Sequence, residues 1–111
     1  MLPRKKRVDR VLFKPLKTGG SVFSLVLTLR FLGPKDGQSR FSFVVPKSVA
    51  KSAVLRNTLR RRGYSAVNEL QRGVNRGFTC VFFFKKGAEG LSFGRIKEEV
   101  SGLLGKAHIL K

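Results

Sequence analysis

The chain reads as a single α+β domain, and three observations carry that reading. Residues 22–32 alternate in polarity, residues 78–84 are apolar throughout, and two segments with candidate caps repeat apolar residues at helical spacing. Period two marks a half-buried strand, a short unbroken apolar run marks a strand covered on both faces, and a 3.6-residue period marks an amphipathic helix. At 111 residues the chain can bury one modest core, and no internal repeat or low-complexity tract divides it.

The elements follow in order. From Arg7 to about Thr18, Val8, Leu12 and Leu16 predict a short first helix, weakened by Pro15 and stopped by Thr18-Gly19-Gly20. Val22 to Leu32 predicts one long strand. Phe23, Leu25, Leu27, Leu29 and Phe31 form its dry face, and Val22, Ser24, Val26, Thr28 and Arg30 the other. Gly33-Pro34-Lys35-Asp36-Gly37 is turn chemistry and predicts a hairpin, with a return strand from Arg40 to Val45 that Pro46 ends. A basic helix is expected from Ala50 or Ser52 to Gln71. Gly63 within it costs about 1 kcal/mol against alanine, so tertiary packing must hold that turn. Phe78 to Phe84 reads as a central strand and Lys85 to Gly90 as a loop. Ser92 is a candidate N-cap for a last helix whose Phe93, Ile96, Val100, Leu103 and Leu104 make one apolar stripe.

Charge narrows the function. With 24 Lys and Arg against 6 Asp and Glu, the formal charge is +18, which opposes compaction and calls for a polyanionic partner. The opening MLPRKKR is followed by no uninterrupted apolar run, which argues against a signal peptide. Val22 to Leu32 is too short to span a bilayer and contains Arg30, so no membrane partner is expected. A single cysteine, Cys80, excludes an internal disulfide and fits a cytoplasmic protein, and its apolar strand predicts a buried inert thiol.

Catalytic and metal-binding residues are not evident. The acids Asp9, Asp36, Glu69, Glu89, Glu98 and Glu99 are scattered or, for the adjacent pair, diverge on a helix. His108 has no acidic neighbour in sequence, and no CxxC, GKS/T or GxSxG pattern occurs.

The segment Lys47 to Arg62, KSVAKSAVLRNTLRRR, carries six cations, and no acid occurs between Asp36 and Glu69. On a helical wheel Arg56, Asn57, Arg60 and Arg61 fall within an arc of about 140°, and Leu55, Leu59, Ala66 and Leu70 gather opposite. One side can pack on a core while the other offers guanidinium groups, whose planar donors meet phosphate oxygens two at a time.

Lys51-Ser52-Ala53-Val54-Leu55-Arg56-Asn57-Thr58-Leu59-Arg60-Arg61 resembles the signature of the bacterial ribonuclease P protein subunit. Val44-Val45 with Lys47, and the opening Arg7-Val8, Phe13 and Lys17, are similar as well; the likeness spans about Arg4 to Leu104. It implies a single RNA-binding domain over residues 1–111, a small αβββαβα sandwich like a ribosomal-protein domain, with a left-handed βαβ crossover and a mobile basic tail over residues 1–6. The protein is then a cofactor, monomeric within a one-to-one complex. The partner ribonuclease P RNA, with Mg²⁺ at its own active site and no metal held by the protein alone, removes the 5′ leader of precursor tRNA. Lys47, Lys51, Arg56, Asn57, Arg60, Arg61 and Arg62 would face the catalytic RNA. Phe13, Val26, Thr28 and Arg30 would form a cleft for the single-stranded leader, and Arg4, Lys5, Lys6 and Arg7 the basic tail. Pro46, Ser48, Arg62, Gly63 and Thr28 depart from the family pattern, as does a segment between Lys47 and Ala53 that is one residue longer. The rival readings are a ribosomal or RNA-chaperone protein without processing activity, a DNA-compacting protein and a membrane-active cationic protein.

Overall fold

Strand Phe23 is followed not by more strand but by a reversal, and the sheet is organised around that turn. The computed structural model describes residues 20–33 and 37–110. Their elements are β1 (Gly20–Phe23), β2 (Leu27–Leu32), β3 (Arg40–Val44), α1 (Ala53–Leu70) with a 3-10 turn over Gln71–Gly73, β4 (Thr79–Phe84) and α2 (Phe93–Lys106). The predicted first helix and the basic tail lie outside the described residues. The single strand expected over residues 22–32 is therefore corrected to two. Ser24 closes the reversal: its N–H donates to the Leu27 carbonyl at 2.8 Å, and its hydroxyl accepts from the Leu27 N–H at 3.3 Å. A serine hydroxyl thus does what Gly or Asn usually signals in a tight turn. Leu27 and Leu29 are fully buried, whereas Phe23 and Leu25, expected on the same dry face, are exposed.

The hairpin expected between β2 and β3 is also absent. The sheet order is β1-β2-β4-β3, with β4 antiparallel to β2 and parallel to β3. Gly33 and Gly37 do take positive φ, as turn chemistry predicts, but the connection leads across a strand's width. The cause is β4 itself. As the most apolar strand it takes an interior position between β2 and β3, and the chain reaches it from β3 by the crossover through α1.

Register sorts the side chains into rows. Val22, Leu29, Phe82 and Phe43 share a row on the inner face, and Phe31, Cys80 and Phe41 another. Both helices pack on that face, α1 over β3 and α2 over β1 and β2, and they also pack on each other. Leu59, Tyr64 and Val67 of α1 and Ile96, Val100, Leu103 and Leu104 of α2 complete the core with Val49, Ala50 and Ile109. The boundaries of α1 and α2 agree with the sequence. Ser52 and Ser92 accept from the N–H groups of Leu55 and Arg95, capping each helix.

Gly63 explains its own presence. A Cβ there would stand 2.5 Å from the Phe43 ring, which stacks on Phe82 at a centroid distance of 4.8 Å and meets Tyr64 edge-on at 5.1 Å. The Gly63→Ala substitution should therefore lower stability by about 1–3 kcal/mol through overpacking, outweighing the intrinsic gain of about 1 kcal/mol that alanine gives a helix. A fall in the denaturant midpoint at constant slope is the measurement. Burial pushes the Cys80 thiol far up from its ordinary value. Iodoacetamide should accordingly leave it intact in the native protein and modify it only after denaturation.

Candidate nucleic-acid interface

The approach to α1 is a tight loop that turns its carbonyls inward and its lysines out. The Pro46 carbonyl accepts from the N–H groups of Val49 and Ala50, whose side chains enter the core, while Lys47 and Lys51 stand exposed. Arg56, in the first turns of α1, reaches back under this loop. Its Nη1 donates to the Ala50 carbonyl at 2.9 Å and to the Lys51 carbonyl at 2.8 Å. This guanidinium holds the loop that carries the lysines, and it is half-buried.

The next turn is open. Arg60 Nη2 donates to Asn57 Oδ1, which fixes the guanidinium plane over the helix surface. Arg61 is exposed, and Val54, two turns earlier on the same line, is 76% exposed. Lys51, Asn57, Arg60 and Arg61, with Arg56 behind them, form one cationic surface around the start of α1. Arg62 does not join it. Its Nη1 donates to the Leu91 carbonyl at 2.6 Å, tying α1 to the loop before α2 on the opposite flank.

Among the described residues, acids are kept away from this surface. Glu69 pairs with Lys97 at 2.9 Å and Glu98 with Arg95 at 3.2 Å, Glu99 accepts from the Ser24 hydroxyl at 2.6 Å, and Glu89 accepts from the Gly87 N–H at 3.1 Å. These lie at the far end of α1, on α2, or in the loop before it. The first turn of α1 holds no acid, so its positive helix end and the surrounding cations add to one another. Such an end presents N–H donors and partial positive charge to an anion.

The second predicted site divides. Thr28 and Arg30 lie on the outer face of β2, paired across to Phe83 and Val81 of β4. Val26 does not share that face: it occupies the turn before β2 and packs against the core. Phe13 and the residues Arg4, Lys5, Lys6 and Arg7 lie outside the described residues. What alternation missed is Phe23, which pairs with Thr28 on the same outer face. Recognising the Ser24 reversal in the sequence would have placed it there. Among the described residues, no group of three His, Cys, Asp or Glu could hold a metal ion, and no helix is long and apolar enough to cross a membrane.

Comparison with known proteins places this geometry. A profile of the family described as Ribonuclease P matches residues 2–108. A ribonuclease P protein component from Synechococcus elongatus is 34% identical across 98% of this chain and 95% of its own length. The corresponding component from Microcystis aeruginosa is 32% identical across 67% of this chain, a match that spans 62% of the relative. The solved RNase P protein of Staphylococcus aureus superposes with a TM-score of 0.84 at 18% identity, covering 96% of this chain and 98% of that one, which is a likeness of fold.

Arg56 and Arg61 should separate in stability. Arg56→Ala strands two loop carbonyls and should cost about 1–2 kcal/mol, whereas Arg61→Ala should stay within about 0.5 kcal/mol of the parent. Thermal unfolding of the two variants side by side measures the difference.

Proposed function

As the chain belongs to the ribonuclease P protein family, we propose that it works as that enzyme's protein subunit by docking the start of α1 on the catalytic RNA. The observation that carries this reading is the surface of Lys47, Lys51, Asn57, Arg60 and Arg61, free of acids among the described residues, with the lysine-bearing loop tied to the helix by Arg56. In this reading the hydrolysis of the leader bond belongs to the RNA and its Mg²⁺. The protein supplies fixed cations where RNA phosphates converge, which lowers the concentration of free divalent ions needed to fold and load the complex.

Each side chain has a distinct part. Arg61 and the lysines meet phosphates as mobile cations and release counterions. Arg60, already oriented by Asn57, meets one at lower entropic cost, because its fork is preset. Arg56 keeps the lysine-bearing loop at a constant distance from the helix. The outer sheet face, with Thr28 and Arg30, is assigned to the single-stranded 5′ leader of precursor tRNA, in line with the mixed aromatic and cationic surfaces that bind unpaired strands.

Reconstitution of the protein with its catalytic RNA at low Mg²⁺ is the direct test. Leader removal should run well above the rate of RNA alone, and an unchanged rate would overturn the proposal. Arg60→Ala and Arg61→Ala should each weaken RNA binding by about 1–2 kcal/mol and lower the slope of log K against log salt by about one.

A further inference from the structure

Between the first residues of β3 and the far end of α1 lies a cavity of about 190 Å³. Buried Phe41 and half-buried Val74 give it an apolar floor, and the amides of Gln38, Gln71 and Asn75 with the Arg76 guanidinium give it a polar rim. Because β3 and β4 run parallel, α1 crosses back antiparallel to both and ends here. Its 18 residues, at about 1.5 Å each, put roughly 27 Å between this cavity and the lysine-bearing start of the helix. The cavity is therefore a separate place on the molecule.

Its wall is braced. The Ser39 hydroxyl donates to the Asn75 carbonyl at 2.6 Å and accepts from the Phe78 N–H at 3.0 Å. The Asn75 N–H donates to the Ile109 carbonyl at 2.7 Å and its Nδ2 to the His108 carbonyl at 3.3 Å, while Val74 bridges to Leu110. The end of the chain thus clamps residues 74–76 in place. With Nδ2 engaged, Asn75 retains Oδ1 as an acceptor. Arg76 is exposed, and its guanidinium has no partner among the described residues.

Size and chemistry narrow the occupant. At about 30 Å³ per water the space holds roughly six waters, which suits one planar ring system and is too small for a drug-sized ligand. Side-chain amides pair with N6 and N7 of adenine, and a guanidinium pairs with O6 and N7 of guanine or with a phosphate. None of the lining groups is acidic, which disfavours a metal cation, and the formal charge of +18 favours an anion.

We propose that this cavity is a purine-nucleotide site, with the base against Phe41, Val74 and the amides and its phosphate on Arg76. A free mononucleotide and a purine extruded from a folded RNA share that chemistry. The RNA source rests on the function proposed above; the site itself does not.

Calorimetric titration of the full chain with AMP, and with ribose 5-phosphate as the baseless control, tests the site. AMP should bind at least tenfold more tightly than ribose 5-phosphate, and Arg76→Ala should weaken AMP about tenfold. Gln38→Ala should weaken AMP several-fold and leave ribose 5-phosphate unchanged. Both side chains are exposed, so neither variant removes core packing. Amide shifts in NMR should fall at residues 38–41 and 71–76. Equal affinity for the two ligands, no saturable AMP binding, or shifts confined to the start of α1 would each overturn the site. Repeating the AMP titration on the protein assembled with its catalytic RNA separates the sources. Retained binding assigns the site to a free nucleotide. Loss of AMP binding, with Arg76→Ala weakening the RNA about tenfold, assigns it to an RNA purine. Loss of AMP binding with unchanged RNA affinity overturns the RNA source and keeps the free-nucleotide site. Failure of the assembled protein to promote leader removal would overturn the function above and leave the titration of the free chain decisive for this site.

Discussion

The Phe43 ring lies in the notch that Gly63 leaves in α1, and the placement of the cationic surface depends on that contact. Phe43 is on β3, an edge strand; its ring stacks flat on Phe82 of the central strand and meets Tyr64 of the helix edge-on. Without a Cβ at position 63 the helix approaches the sheet closely enough to close over this ring. Fixing the depth and rotation of α1 in this way sends Leu59, Ala66 and Val67 inward. Because residues 60 and 61 follow Leu59 on the same helix, their outward direction is settled by the same contact. A core glycine therefore acts as a determinant of where the cationic surface stands.

Charge is segregated along the same helix. Across most of α1 the cations meet no carboxylate, and the acids collect where α1 ends and α2 runs beside it. There they pair with Lys97 and Arg95 or accept from Ser24 and Gly87. Exposed pairs of this kind contribute little to stability, typically under about 1 kcal/mol each. Their larger effect is on the field. They neutralise the flank that Arg62 and α2 occupy and leave the start of α1 as the positive pole, so a polyanion meets the molecule in a preferred orientation.

Much of this was legible in the residues. The caps Ser52 and Ser92, the central position of β4, the inert burial of Cys80 and the division of α1 into an apolar and a basic side all follow from local pattern. Gly63 was legible as a problem, a costly residue in a helix, and the structure supplies the reason. The failures have a common physical origin. Alternation over residues 22–32 suggests one straight strand, but the two-residue reversal inverts which parity faces the core, so Phe23 stands on the outer face while Leu27 and Leu29 lie inside. The glycines at 33 and 37 announce a turn but not its span, so a crossover past β4 looked like a hairpin. A helical wheel assigns direction but not commitment. It placed Arg56, Arg60 and Arg61 together, without indicating that Arg56 binds carbonyls or that Arg62 reaches the other helix.

That division of labour among the arginines bears on how such a surface can be specific. A ridge of freely moving cations attracts any polyanion, and its contacts lose side-chain entropy when they form. Here Arg56 spends its Nη1 donors on the Ala50 and Lys51 carbonyls and so converts the lysine-bearing loop into a rigid continuation of the helix. Asn57 in turn presets Arg60. Two of the guanidinium groups are positioned before any partner arrives, and the backbone of the lysine-bearing loop is tied to the helix through Arg56. A duplex of uniform groove spacing and a folded RNA with converging backbones present different phosphate patterns. A prepositioned set of cations can tell them apart, whereas a flexible set with the same net charge cannot.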